Sequence, residues 1–370
     1  MRVLVVAFPE AGHRNPMTCV AQRLVRDGHD VQVLTMEEAG DARPARGRDL
    51  VNLLERPALA RRWFRYVLTT QVPLQLAALR EAIGRVPPEV IVTDPLAYAG
   101  AIVAEQLRVP WAAVSTQLLA LAPPELRWPY LDYLEDPILV RDRDRLLAAE
   151  GVALRFERGE AVSPWLFTVF ATEALAVAGC RIPHAILVGP ASPLGAHDAV
   201  FPWDRLREGV PLVYVSFGSQ LAPDAATCEA ICAALDPAEA DLVLASGEPP
   251  TVPPHVITVP WAPQLALLER ARVMITHGGA NSIAECLRRG VPALVIPLIN
   301  DQPLQAHLIE RAGAGIALAP AAVTAASIRT ALCALLADGP QRRRAAELGR
   351  SYAAGDGAER VAELVVALAQ

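Results

Sequence analysis

Residues 273–285 read Val273-Met-Ile-Thr-His277-Gly278-Gly279-Ala280-Asn281-Ser282-Ile283-Ala284-Glu285. A short apolar run ends at Thr276, two glycines follow, and a helical pattern then begins, which reads as strand, tight turn and helix. Glycines at such a turn let the backbone approach a ligand closely. The helix start adds unpaired amides and the positive end of the helix dipole. The segment therefore reads as an anion site, the alternative being an ordinary glycine-rich turn. Ser282 and Glu285 lie three apart and share a helix face. A carboxylate there could accept from ribose hydroxyls while amides and His277 hold phosphate oxygens. Asn281 could equally cap the helix.

Outward from this segment the same alternation recurs. The N-terminal half carries expected strands at Val3 to Phe8, Asp30 to Thr35, Val90 to Thr93 and Trp111 to Ser115. The C-terminal half carries them at Leu212 to Phe217, Asp241 to Ala245, Val256 to Val259, Val273 to Thr276 and Ala293 to Ile296. Strands alternating with helices predict parallel sheets covered by helices. The fold class expected is α/β, with two doubly wound Rossmann-like domains facing a central cleft. Ligands of such sheets bind outside the carboxyl ends of the strands. The expected boundaries are an N-terminal domain over 1–188, a Pro/Gly-rich linker over 189–208, a C-terminal domain over 209–354, and a terminal helix over 355–370 that packs back on the N-domain.

Composition narrows the chemistry. The 370 residues are 53% hydrophobic and 20% charged, which suits two globular domains with large cores. The net charge of -6 argues against a nucleic-acid partner, since such surfaces need clustered cations. The densest basic cluster is Arg61, Arg62 and Arg65 around Trp63 and Phe64. It reads as a solvated helix face, with a membrane-surface or acceptor contact as the alternative. All 34 basic residues are arginine. Without lysine, neither a P-loop hydrolase nor a Schiff-base enzyme can operate. No G-x-G-x-x-G follows a strand, which disfavours a dinucleotide oxidoreductase. The six cysteines (Cys19, Cys180, Cys228, Cys232, Cys286, Cys333) read as buried free thiols of a reducing compartment. No apolar stretch is long enough to span a membrane, and the N-terminus lacks the pattern of a signal peptide. A cytoplasmic protein, monomer or homodimer, is the expectation.

The densest motifs are Trp261-Ala-Pro-Gln264, His277 to Glu285, Gly290-Val-Pro292 and Asp301-Gln302. In this order and spacing the chain resembles the GT-B glycosyltransferases, specifically the inverting nucleotide-sugar-dependent group of plant secondary-metabolite and bacterial macrolide enzymes. The resemblance covers most of the chain. It implies that Trp261 stacks on the base and that Gln264 helps hold the nucleoside. His277 and Ser282 would contact phosphate, Glu285 the ribose, and Asp301 with Gln302 the sugar, with Gly278, Gly279 and Asn281 also in the donor site. Ser219, in the loop after the first C-domain strand, would supply a second phosphate contact. The Gly12-His13-Arg14-Asn15-Pro16 segment matches the pattern that carries the family's base, and Asp94 stands where its partner carboxylate does. A lone histidine or strand-end aspartate would otherwise be read as structural. What the resemblance implies is transfer of a sugar, UDP-glucose being the first choice of donor, onto a small hydrophobic natural-product acceptor such as a polyketide, macrolide or phenol. No metal and no cofactor beyond the UDP-sugar co-substrate is expected, because Asp142-Arg-Asp144, the one Asp-x-Asp, lies in a charged helical run. Loops over Arg56 to Val72 and Gln117 to Phe170 are expected to shape the acceptor pocket. A glycolipid-forming enzyme in peripheral membrane contact, a nucleotide-sugar epimerase and a non-catalytic partner protein are the alternatives.

Overall fold

The computed structural model describes residues 1–35, 56–84, 86–176, 184–192, 200–218, 222–247 and 251–369. These fall into two compact units. One comprises the described residues up to 192 together with 355–369, and the other those from 200 to 354.

The first unit is built on β1 (Arg2–Ala7), β2 (Asp30–Thr35), β3 (Val90–Thr93) and β4 (Trp111–Ser115), a small antiparallel hairpin of β5 (Arg155–Glu157) and β6 (Glu160–Val162), then β7 (Leu166–Val169) and β8 (Ala185–Leu187). Its six-stranded sheet is all parallel, in the order β2-β1-β3-β4-β7-β8. Chain order reverses between β1 and β3, so these two central strands diverge at their carboxyl ends. β3 and β4 are buried along their whole length, as expected of strands covered on both faces.

The helix Ala11–Arg26 and the final helix Gly357–Leu368 cover one face, and Val361 and Val365 join Val3, Val5, Val20 and Val92 in a single core. The attachment is polar as well. Arg23, with only 3% of its side chain exposed, pairs with Asp356 and donates to the Ser192 carbonyl at 2.7 Å. Asp356 also caps the final helix through Ala358 N and accepts from Ser192 N. The helix starts so close to the chain at Gly189 that a Cβ on Gly357 would lie 2.3 Å from the Gly189 carbonyl oxygen.

The second unit repeats the plan with β9 (Leu212–Ser216), β10 (Asp241–Ala245), β11 (Ile257–Val259), β12 (Ala271–Thr276), β13 (Ala293–Val295) and β14 (Gly315–Ala317). The order is β11-β10-β9-β12-β13-β14, again all parallel, with the reversal between β9 and β12.

Some expectations need correcting. The stretches expected to be loops at 56–72 and 117–170 are mostly regular. They hold helices Pro57–Arg65, Pro129–Leu134 and Pro137–Glu150, a wide π-helical turn at Tyr66–Thr70, and strands β5, β6 and β7. Their Leu, Tyr and Phe side chains are largely core, including Phe64, Leu68, Tyr130, Tyr133, Leu139 and Phe167. Cys19, Cys228, Cys232 and Cys286 are buried thiols, but Cys333 is exposed, and Cys180 lies outside the described residues. The basic cluster does lie on a solvent-exposed helix face, where Arg61 meets Asp136 at 3.1 Å and Arg65 meets Asp142 at 2.8 Å. Among the described residues no helix is long and apolar enough to cross a membrane.

Candidate active site

In the first unit, His13 lies in the first turn of the helix that follows β1, and Asp94 follows β3 directly. The two strands flank the point where chain order reverses, so side chains 81 positions apart meet there: His13 Nδ1 and Asp94 Oδ2 are 2.7 Å apart. Both are almost fully buried. The second carboxylate oxygen of Asp94 accepts from Leu96 N at 2.9 Å, which fixes the plane of the carboxylate. Thr116 Oγ1 lies 2.9 Å from His13 Nδ1, and the Phe8 ring tilts against the imidazole. With Nδ1 directed at a carboxylate, the proton of neutral His13 belongs on Nδ1, and Nε2 presents a lone pair.

Residues not singled out from the sequence complete this cluster. Thr116 and Gln117 follow β4, and Gln117 Nε2 lies 3.2 Å from His13 Nε2. Tyr130 OH in turn lies 2.8 Å from Gln117 Nε2 and donates to Gln117 Oε1 at 3.0 Å. The signal that could have found Thr116 and Gln117 is position, since residues that directly follow neighbouring parallel strands line the same edge of the sheet.

In the second unit, His277 follows β12 at the corresponding reversal. It sits in a glycine cradle. A Cβ on Gly218 would come within 2.8 Å of the imidazole Cε1, and one on Gly279 within 2.7 Å of Nε2. Gly218 and Gly278 also have positive φ of 77° and 90°, which an L side chain rarely adopts. Phe217 stacks near the ring. This enclosure pushes the imidazole pKa down to about 4, burial outweighing the opposing hydrogen bond with the Ser216 backbone. His277 is therefore neutral at pH 7 and acts as a hydrogen-bond donor without carrying a charge.

The helix Ala280–Arg288 starts here, with Gly279 at its N-cap. Asn281 is thus inside the first turn and does not cap the helix, because the chain enters through the extended backbone of Gly279. Ser282 and Glu285 do converge with Gln264. The amide of Gln264 donates to Glu285 Oε2 at 2.6 Å and lies 3.4 Å from Ser282 Oγ. Its orientation is set by Tyr214 on β9, whose hydroxyl donates to Gln264 Oε1 at 3.1 Å. Burial, reinforced by Glu285, raises the Tyr214 pKa, so this phenol stays protonated. Tyr214 is a further member that sequence reasoning missed; nothing in a buried strand marks which tyrosine meets a distant glutamine.

Trp261 is 61% exposed just ahead of the helix Gln264–Leu268, so its ring is open to a flat ligand. Asp301 and Gln302 begin the helix Gln302–Arg311, and the Gln302 backbone carbonyl borders Gly278. The Gln302 side chain is buried, however, and its Oε1 accepts from Leu298 N and Ile299 N, which shapes the loop before Asp301. Ser219 lies outside the described residues. Among the described residues there is no group of three or more His, Cys, Asp or Glu side chains placed to hold a metal ion. Asp142-Arg-Asp144 lies within the helix Pro137–Glu150, with Asp142 bound to Arg65.

The chain is similar to several known proteins along its length. Residues 224–368 match the model of the erythromycin biosynthesis protein CIII-like C-terminal domain. Over 99% of both chains it is 27% identical to 4'-demethylrebeccamycin synthase of Lentzea aerocolonigenes. It is 25% identical to the NDP-glycosyltransferase YjiC of Bacillus subtilis, over 97% of this chain and 95% of that one. Among solved structures, the glycotransferase of kitacinnamycin matches with a TM-score of 0.78 at 25% identity, over 99% of this chain and 98% of that one. The chain has the GT-B fold that these glycosyltransferases share. Its two parallel-sheet units are the two domains of that fold, and the proteins it matches along its whole length include glycosyltransferases.

Proposed function

We propose that this glycosyltransferase moves glucose from UDP-glucose to a hydroxyl of a small hydrophobic polyketide, macrolide or phenol, with inversion and without a metal. The observation that carries the chemistry is His13 held at Nδ1 by the pinned carboxylate of Asp94. An alcohol attacks well only as its proton leaves, and a neutral imidazole with an oriented second nitrogen is suited to take it. In the proposed step the acceptor O–H bond breaks, its proton goes to His13 Nε2, and the oxygen bonds to the anomeric carbon. The bond from that carbon to the diphosphate breaks, and its electron pair leaves with UDP. A single displacement inverts the carbon. Asp94 stabilises the imidazolium formed.

The amides at the start of helix Ala280–Arg288, with neutral His277 beside them, would take up the charge on the leaving diphosphate. Trp261 would stack on uracil, while Gln264 and Glu285, already coupled, would hold the nucleoside. In this reading Asp301 binds sugar hydroxyls, and Gln302 shapes the loop for it.

The test is mass spectrometry of products from UDP-glucose and dTDP-glucose with a panel of phenolic and polyketide acceptors, in the presence of chelator, with His13→Ala as control. A hexose adduct that forms only from UDP-glucose, survives chelation and disappears in the variant is the expected result. An adduct lost on chelation, or formed only from dTDP-glucose, overturns the corresponding part.

A further inference from the structure

The contact between Gln117 and His13 has no place in the chemistry above, yet it sits on the nitrogen that the reaction needs. Gln117 Nε2 is 3.2 Å from His13 Nε2. Because Nδ1 faces Asp94, Nε2 is an acceptor, and a carboxamide NH2 is its complement. Were the amide reversed, two acceptors would face each other. Tyr130 OH spans the amide, 2.8 Å from Nε2 and 3.0 Å from Oε1, and holds the carboxamide in place while the acceptor nitrogen of His13 selects its orientation. The backbone of residue 117 is anchored as well: Ser115 Oγ donates to its carbonyl at 2.7 Å, and Ser115 Oγ also lies 2.6 Å from the buried Glu160. The carboxamide is therefore held at the base from both ends.

An acceptor hydroxyl that reaches Nε2 has to replace this contact. Its oxygen, once the hydrogen points to His13, offers lone pairs to a donor in the same place. We propose that Gln117 is a positioning residue for the acceptor, its Nε2 donating to the acceptor oxygen while His13 takes the proton. The inference rests on the reading of His13 as the base. It favours an oxygen nucleophile, whose lone pairs accept well from an amide, over a thiol, which accepts poorly and gains little from Gln117.

The test compares wild type with Gln117→Leu, similar in shape but without a donor, using UDP-glucose and a matched phenol and thiophenol. For the phenol, kcat/KM should fall about 10- to 50-fold, mainly through acceptor KM, the scale of a lost hydrogen bond to a reacting group. KM for UDP-glucose and the UDP Kd should not move, and thiophenol transfer should stay within about threefold, since a thiol ionises readily by itself. Equal losses for phenol and thiophenol, a parallel rise in donor KM, or an unchanged phenol rate would each overturn the proposal. Should Gln117→Leu fail to fold, Tyr130→Phe releases the same carboxamide and should show a smaller phenol loss with the same selectivity. His13→Ala separates the two levels. Full phenol transfer by that variant would overturn the base itself, whereas its loss alongside an unaffected Gln117→Leu would overturn only the role of Gln117.

Discussion

Gly279 and His277 are in such close contact that a methyl group on residue 279 would sit 2.7 Å from the imidazole Nε2. Gly279 has ordinary extended backbone angles, so Gly279→Ala introduces crowding without backbone strain. The expected outcome is a displaced imidazole and UDP binding weakened about tenfold, from the ~1–3 kcal/mol that such overpacking costs. Isothermal titration calorimetry on the folded variant checks it; unchanged affinity would remove His277 from the phosphate site.

Burial that holds His277 near a pKa of about 4 also makes the fold sensitive to acid. An unfolded histidine titrates near 6.5, so below that pH the unfolded chain binds a proton that the folded one refuses. Stability conferred by neutral His277 is complete above about pH 6.5 and drains away toward pH 4. Between pH 6.5 and 5 the loss should reach about 2 kcal/mol. Urea unfolding at several pH values, compared with His277→Gln, should show a flatter profile for the variant; identical profiles would refute the assignment.

Removing the base should leave donor binding intact. His13→Ala is expected to lower kcat by about 10²- to 10⁴-fold, the usual contribution of a positioned base, with UDP Kd unchanged. Asp94→Asn keeps the volume but faces Nδ1 with an amide, and should favour the wrong tautomer with a comparable loss. Steady-state kinetics with UDP calorimetry decides between this and a merely structural pair, which would show as a fall in melting temperature instead.

Trp261, exposed and proposed to stack on the base, gives a further test. Trp261→Ala should weaken UDP by roughly 5- to 150-fold, the ~1–3 kcal/mol of base–aromatic stacking, while leaving inorganic pyrophosphate binding as it was. Equal weakening of both ligands would place Trp261 away from the base.

Much of the fold is legible in the sequence. All nine strands expected from apolar runs exist; eight are largely buried and so apolar along most of their length, while β2 is a partly exposed edge strand. β14 escaped notice, being three residues that open on Gly315, and β7 lay inside a stretch taken for a loop. The donor-side cluster His277, Ser282 and Glu285 is local in sequence and hence legible. His13 and Asp94 are not local, and only the resemblance paired them; the fold accounts for it by placing both at one sheet reversal. Gln117, Tyr130 and Tyr214 acquire their roles from neighbours 13 to 104 positions away, a relation that no window along the chain contains.

The final helix has one more consequence. Val361 and Val365 complete the core around β1, and Asp356 pairs with the buried Arg23, so the first strands and helix lack part of their interior until residues 356–365 arrive. Residues 200–354, by contrast, form a contiguous unit. During vectorial synthesis on the ribosome, the second unit can therefore close before the first, which waits for residues 356–365 to leave the exit tunnel.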